Sequence, residues 1–406
     1  MLLSLFLFPL YLILGLVRYF KDLETIQSLK NRFAIPTKPQ FSSPPVWIHA
    51  ASVGELVSAI PLIQKMKEAN SKIDILLTST TQTSLKIYES RLEKYCTHQF
   101  IPFDIPYFVE KFINLWKPSK LILIEAEIWP FILAGVSKKE LPIYLINARF
   151  SPKSCKRWRS LKSIARKIFK KINIATASSE EMITFLSEMG VQEAKKLPHL
   201  KYAADPLPYN SDKNILLREI IGKRPIWAAC SLHPGEDELC IRVIKTLQPQ
   251  IPNLFTILVP RHPSRVPSLE IALKKEGFAY ALYSQNNIKS EDQILIVDVI
   301  GEMGQVFNLA QVTFVGGSLI EGIGGHNPIE PALYKNALLW GPHVFNFKGI
   351  CTEITSGIEV KNESELAEKL KFLLNNPDKI EEFGTKAYNY VVSQGQYLDE
   401  LVGLIQ

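Results

Sequence analysis

Two consecutive α/β domains, each built on a parallel sheet, are what this 406-residue chain predicts. Three observations carry that expectation. Short apolar runs alternate with stretches of helical spacing, the pattern of βαβ units. The alternation stops at residues 203–210, Ala-Ala-Asp-Pro-Leu-Pro-Tyr-Asn, which are proline-rich and aperiodic, and then restarts. The length is comfortable for two domains and long for one. The expected division is a hydrophobic anchor over 1–20, a first domain over 21–205 and a second over 206–406, with a last helix packing back on the first.

In the first domain, strands are expected at 46–49, 73–78, 99–102, 120–125, 143–147 and 172–175. Helices fall near 55–69, 83–95, 107–116, 129–136, 158–171 and 180–189. In the second, strands are expected at 226–230, 254–259, 294–297, 312–315 and 337–340. Its helices fall near 236–247, 266–276, 301–309 and 329–334, with more helix from 363 onward.

The composition is globular, 47% hydrophobic and 21% charged. Five scattered cysteines with no C-x-x-C pair point to a reducing compartment, not to a disulfide scaffold or a zinc site. No H-E-x-x-H or D-x-D spacing occurs, so no metal is expected. Residues 1–17 are almost wholly apolar, and Arg18, Lys21, Lys30 and Arg32 follow. A cleaved signal peptide would carry its basic residues before the apolar run and a small-residue site after it. A buried core helix is the second alternative. A membrane anchor fits better, and the positive-inside rule leaves the rest of the chain in the cytoplasm.

The net charge of +7 is local. Of 47 Lys and Arg, nine lie within 153–171, a stretch with no acid; the remaining 38 are nearly balanced by 40 Asp and Glu. Trp158, Leu161, Ile164, Ile168 and Phe169 recur there at helical spacing. A basic amphipathic helix reads as an element for an anionic membrane surface. The plainer reading is a solvated helix packing its apolar face on the domain. Nucleic acid is not expected as a partner, because no base-reading motif or aromatic stacking series accompanies the charge.

The chemistry begins at His49-Ala50-Ala51-Ser52-Val53-Gly54-Glu55, a small-residue turn between a buried strand and a helix. Such a turn lies at the carboxyl end of a strand, where α/β sheets place their sites. Glu55 is then a candidate catalytic carboxylate or a simple complement to the helix dipole. Glu125 and Glu127 follow a second buried strand, where acids need a task or a partner. They suit a base or a cationic transition state, or simply cap the next helix. In the second domain, Arg261 follows a strand directly and is placed to meet a phosphate, or simply stands in a surface turn. Gly301, Glu302 and Met303 open a helix. The glycine-rich loop from Gly316 to Gly325 leads into Asn327, Pro328, Ile329 and Glu330, read as N-cap, first, second and third helical positions. Backbone N–H groups at such a helix start can bind phosphate. The loop lacks the G-x-G-x-x-G fingerprint, so no NAD is expected.

These segments together resemble the lipid A 3-deoxy-D-manno-oct-2-ulosonic acid (Kdo) transferases. The matching pieces are Ala51-Ser52-Val53-Gly54-Glu55, Glu125-Ala126-Glu127-Ile128-Trp129-Pro130, Asn147-Ala148-Arg149, Leu200-Lys201-Tyr202, Pro260-Arg261-His262-Pro263, Gly316-Gly317-Ser318, Gly325-His326-Asn327-Pro328 and Gly341-Pro342-His343. The resemblance implies a GT-B fold, two Rossmann-like domains facing a central cleft. It implies Glu55 as general base, with Glu125 and Lys201 supporting the transition state. It also implies a CMP site lined by Pro260, Arg261, Gly301, Glu302, Met303, Asn327, Pro328, Ile329 and Glu330. One departure stands beside Lys201: Pro198-His199 replace a Gly and a small polar residue of the family pattern.

The function so implied is inverting, metal-independent transfer of Kdo from CMP-Kdo to a lipid A precursor (lipid IVA), in lipopolysaccharide biosynthesis. No cofactor is expected beyond that donor substrate. The location implied is the inner membrane, with both domains on its cytoplasmic face. Two alternatives remain: a GT-B enzyme using another nucleotide sugar with a lipid acceptor, and an inactive membrane-tethered binding protein.

Overall fold

The computed structural model describes residues 17–21, 24–36, 41 and 43–405. The expected anchor falls mainly on residues 1–16, outside that set; among the described residues no helix is long and apolar enough to cross a membrane. Two compact units divide the chain: residues 1–204 with 395–406, and residues 205–394.

The first unit holds seven parallel strands: β1 Val46–His49, β2 Ile75–Ser79, β3 Thr97–Phe100, β4 Lys120–Ile124, β5 Ile143–Ile146, β6 Ile174–Ala177 and β7 Glu193–Lys196. Their order is β3-β2-β1-β4-β5-β6-β7. Every residue of β1 is buried, because helices cover both faces of the sheet. Trp47 points into one apolar layer with Phe112, Leu123 and Phe169. Its neighbour Ile48 points into the other with Leu56, Ile63 and Ile122, as the two-residue strand period demands. Leu401, Val402 and Ile405 of the helix Leu398–Ile405 complete that second layer.

The second unit repeats the plan with β8 Ile226–Leu232, β9 Phe255–Pro260, β10 Tyr280–Leu282, β11 Ile294–Ile296, β12 Val312–Val315, β13 Ala337–Trp340 and β14 Ile358–Glu359. All pairs are again parallel, in the order β10-β11-β9-β8-β12-β13-β14. In each unit the strand order reverses beside the first strand, between β1 and β4 and between β8 and β12. That switch point is where an open α/β sheet leaves a crevice at its carboxyl edge.

Three strands escaped the sequence reading: β7, β10 and β14. All are outermost or nearly so, two to four residues long, and β7 is the polar run Glu-Ala-Lys-Lys. Edge strands of two to four residues are too short to show a period. The basic segment also differs from the single helix expected at 158–171. It forms two helices, Pro152–Ser160 and Lys162–Phe169, broken at Leu161, whose ψ of 34° is not helical. The break turns Trp158 edge-on to Phe169, ring centres 5.3 Å apart. Cys155, Ala165 and Phe169 are buried in the core, while Leu161 and Ile164 stay exposed among the cations. Most of the apolar face therefore serves the domain.

Candidate active site

The turn after β1 is held by hydrogen bonds that bend Glu55 back over it. Ser52 caps the helix Val53–Ala69, its Oγ accepting from the Glu55 N–H at 3.3 Å. In return the Ser52 hydroxyl donates to Glu55 Oε1 at 3.0 Å, and the Ala51 N–H donates to Oε2 at 2.8 Å. This is a variant capping box whose acid reaches one residue past the cap. Burial pushes the Glu55 carboxyl up to about 7; the Glu127 charge adds to the push, and the bonds from Ala51 and Ser52 oppose it. A carboxyl near 7 is suited to general-base work at neutral pH.

Glu125 follows β4 with φ of 61°, and Asn147 follows β5 with φ of 59°. Left-handed backbone at two adjacent strand ends costs energy in non-glycine residues and concentrates at functional sites. Asn147 joins the pieces: its Nδ2 donates to Glu125 Oε1 at 3.5 Å, and its Oδ1 accepts from the Leu200 N–H at 3.4 Å. Leu200 begins the 3-10 turn Leu200–Ala203 that carries Lys201. Burial raises the Glu125 carboxyl, while Lys201 and Arg149 pull it down. Glu55, Glu125 and Lys201 are thus brought to one carboxyl edge, with Arg149 and Glu127.

The departure at Pro198-His199 has a structural account. Buried His199 caps the turn, its Nδ1 accepting from the Lys201 N–H at 3.2 Å. Burial first, then Lys201 and Arg149, push its imidazole down to about 3, so the ring is neutral and free to accept. A histidine does here what a small polar cap does elsewhere. Glu127, paired with Glu125 in the sequence reading, accepts from Trp129 Nε1 at 2.6 Å and lies 3.5 Å from Nε2 of fully buried His49. His49 Nδ1 in turn sits 3.0 Å from the Thr78 carbonyl and hydroxyl oxygens.

In the second unit the assigned residues follow the carboxyl ends of three strands, β9, β11 and β12. Pro260 ends β9, and the N–H of exposed Arg261 extends the ladder to the Leu232 carbonyl at 2.9 Å. Gly301, with φ of 101°, stands outside the helix expected from it; Glu302 is the cap residue and Met303 the first helical one. The Glu302 carboxylate accepts from the Tyr283 hydroxyl at 2.6 Å. A Cβ on the next glycine, Gly304, would strike the carbonyls of Leu207 and Pro208, so the helix seats the linker by lacking one.

The Asn327 region differs from expectation by one position. The helix is only Ile329–Ala332, with Pro328 as its cap. Asn327 instead closes an Asx turn, its Oδ1 accepting from the Ile329 N–H at 3.2 Å and its Nδ2 donating to Glu330 Oε1 at 3.1 Å. The Pro328 carbonyl accepts from Ala332, which makes the proline itself the cap. So short a helix has little dipole to offer a phosphate. The N–H groups of Gly317, Ser318 and Leu319 in the glycine loop are also engaged. Glu236, fully buried, accepts from Gly317 at 2.6 Å, Ser318 at 2.9 Å, Leu319 at 3.0 Å and His233 at 3.1 Å. An acid at a helix start is too common for sequence to have marked it.

Residues 27–204 match the family model described as 3-deoxy-D-manno-octulosonic-acid transferase (kdotransferase). A 3-deoxy-D-manno-octulosonic acid transferase of Rickettsia bellii is 33% identical over 99% of this chain and 97% of its own. The chain belongs to the 3-deoxy-D-manno-octulosonic acid transferase family. It is therefore a glycosyltransferase, a Kdo transferase. The same named enzyme of Haemophilus influenzae is 30% identical over 96% of this chain and 95% of its own. Among solved structures, the UDP-GlcNAc 2-epimerase of Neisseria meningitidis superposes with a TM-score of 0.62 at 11% identity, covering 89% of this chain and 100% of that one. That likeness concerns the fold alone, two Rossmann-like domains of the GT-B class.

Proposed function

We propose that the enzyme moves Kdo from CMP-Kdo to a lipid A precursor such as lipid IVA, with inversion, and that Glu55 is the general base. The observation that carries this reading is the Glu55 carboxylate, aimed by Ala51 and Ser52 and raised to about 7. An acceptor hydroxyl gives its proton to Glu55 as its oxygen attacks the anomeric carbon. The bond from that carbon to the phosphate oxygen breaks, and its electron pair leaves with CMP. A single displacement inverts the centre. Positive charge develops on the sugar in such transfers, and the Glu125 carboxylate opposes it, with Lys201 fixing Glu125. Arg261 is the cation for the departing phosphate. Glu302, Asn327 and Glu330 supply polar groups for the nucleotide, and no metal is required.

The acceptor is an amphiphile, so the enzyme works at the inner membrane's cytoplasmic face. Exposed Leu161 and Ile164 among the cations of 153–171 suit an anionic lipid surface. The test of the reaction is transfer from CMP-Kdo, generated in situ, to tetraacylated lipid A precursor in EDTA, with products read by mass spectrometry. A gain of Kdo mass is expected. No gain, with a UDP- or GDP-sugar accepted instead, overturns the donor assignment. Charge reversal of Lys156, Lys162 and Lys167 is expected to weaken binding to anionic liposomes; unchanged binding overturns the membrane role.

A further inference from the structure

Beside Arg261 the second unit holds a pair of histidines to which nothing above assigns a task. His233 follows β8 and His326 precedes Asn327. Their Nε2 atoms lie 2.9 Å apart, and the rings are nearly parallel, 14° between planes and 5.2 Å between centres. That separation is close to two rings laid end to end through Nε2, so the contact is an in-plane hydrogen bond and not a face-to-face stack. One Nε2 carries a hydrogen and the other a lone pair. The pair can therefore accept one further proton, on a ring nitrogen away from the contact, and keep its bond. A second would set two N–H donors against each other.

The surroundings decide when that proton arrives. The charged and titratable groups acting on the pair are Arg261, His262 and Glu236. Glu236 is committed to four N–H groups, and Arg261 and His262 are exposed. Burial first, then Arg261, His233 and His262, push His326 down to about 4, and burial lowers His233 as well. The unliganded pair is neutral near pH 7. It is held rigidly: the Gly325 N–H donates to the Gly317 carbonyl at 2.7 Å, and a Cβ on Gly317 would press on the His326 ring.

We propose that the His233–His326 dyad, with Arg261, forms a proton-coupled phosphate site that takes up one proton as the nucleotide's phosphate binds. The inference rests on the CMP-sugar reading above and adds a proton to it. An anion placed against two imidazoles favours their charged form, and the shared hydrogen bond becomes charge-assisted. Sugar transfer turns the donor's singly charged phosphodiester into a phosphomonoester of charge near −2, so CMP is the form that draws the proton most strongly.

The test is calorimetric titration of the full chain with CMP at pH 7, in buffers of different ionisation enthalpy. Net uptake approaching about one proton per CMP is expected. In H326Q and H233Q the uptake disappears and CMP affinity falls about tenfold, while cytidine, which lacks the phosphate, binds as in the parent. CMP binding without proton uptake, or uptake unchanged in both variants, overturns the dyad and leaves the donor reading standing. Absence of CMP binding in the folded parent overturns both.

Discussion

Each unit places a glutamate in the turn after its first strand, and the two have opposite fates. Glu236, after β8, is fully buried and accepts four backbone N–H groups. Glu55, after β1, accepts one N–H and one hydroxyl, keeps some exposure, and faces the charges of Glu127 and Glu125. Four donors make Glu236 a structural pin that ties the β8 turn to the glycine loop after β12. Two donors and two like charges leave a carboxylate whose proton is loosely decided near pH 7. The lesson is that the number of donors, and not the position after the strand, separates the pin from the base.

Replacing each acid by its amide tests the contrast most severely. Glu55→Gln is expected to lower kcat by about 10³-fold, with CMP affinity retained, since base loss typically costs 10²–10⁴. Its effect on stability has a definite sign. A carboxyl raised from 4.5 to about 7 binds its proton more tightly in the folded state. Its stabilising contribution is present below pH 4.5 and is lost as pH rises to about 7. E55Q should therefore melt progressively above the parent between pH 5 and pH 8, by about 2–4 °C at the upper end. Glu236→Gln turns an NH2 toward donors that need an acceptor and should cost about 3 kcal/mol, seen as a lowered Tm at every neutral pH. An E236Q protein that melts with the parent breaks the contrast.

A subtler variant moves only the proton. Glu127→Gln removes the like charge that ranks after burial in raising Glu55. Because the base works deprotonated, activity of the parent should climb through about pH 7. In E127Q the climb is expected at lower pH, by about half a unit to one unit, with kcat on the plateau nearly kept. A limb that stays in place means that burial alone sets the Glu55 proton.

Much of this frame was legible in the sequence, and the reasons for the rest are local. β1, β12 and β13 begin and end where the sequence reading puts them. Ser52 stands three residues before Glu55, the spacing of a capping box, yet the helix expected from 55 passed over that cap. The Gly304 contact, the left-handed Glu125 and Asn147, and the four bonds to Glu236 depend on which loops the fold brings together. No spacing along the chain records them. His199 shows the limit most plainly: a departure in the motif preserves a cap, because an imidazole neutralised by burial accepts as a serine would. The basic segment shows the converse, a clear periodicity whose apolar residues are mostly spent inside the domain.

The smallest expected effect runs against the sign of E127Q. Ser52→Ala deletes the hydroxyl that donates to Glu55 Oε1 and also the N-cap of the helix Val53–Ala69. The lost cap should cost about 1 kcal/mol of stability. The lost donor no longer favours the charged carboxylate, so the Glu55 proton is held more tightly and the rise of activity shifts to higher pH by a few tenths of a unit. Opposite shifts in S52A and E127Q, with the plateau kept in each, would mark Glu55 as the group that titrates. Shifts of the same sign would place the titrating group elsewhere, and the count of donors would then explain Glu236 but not the base.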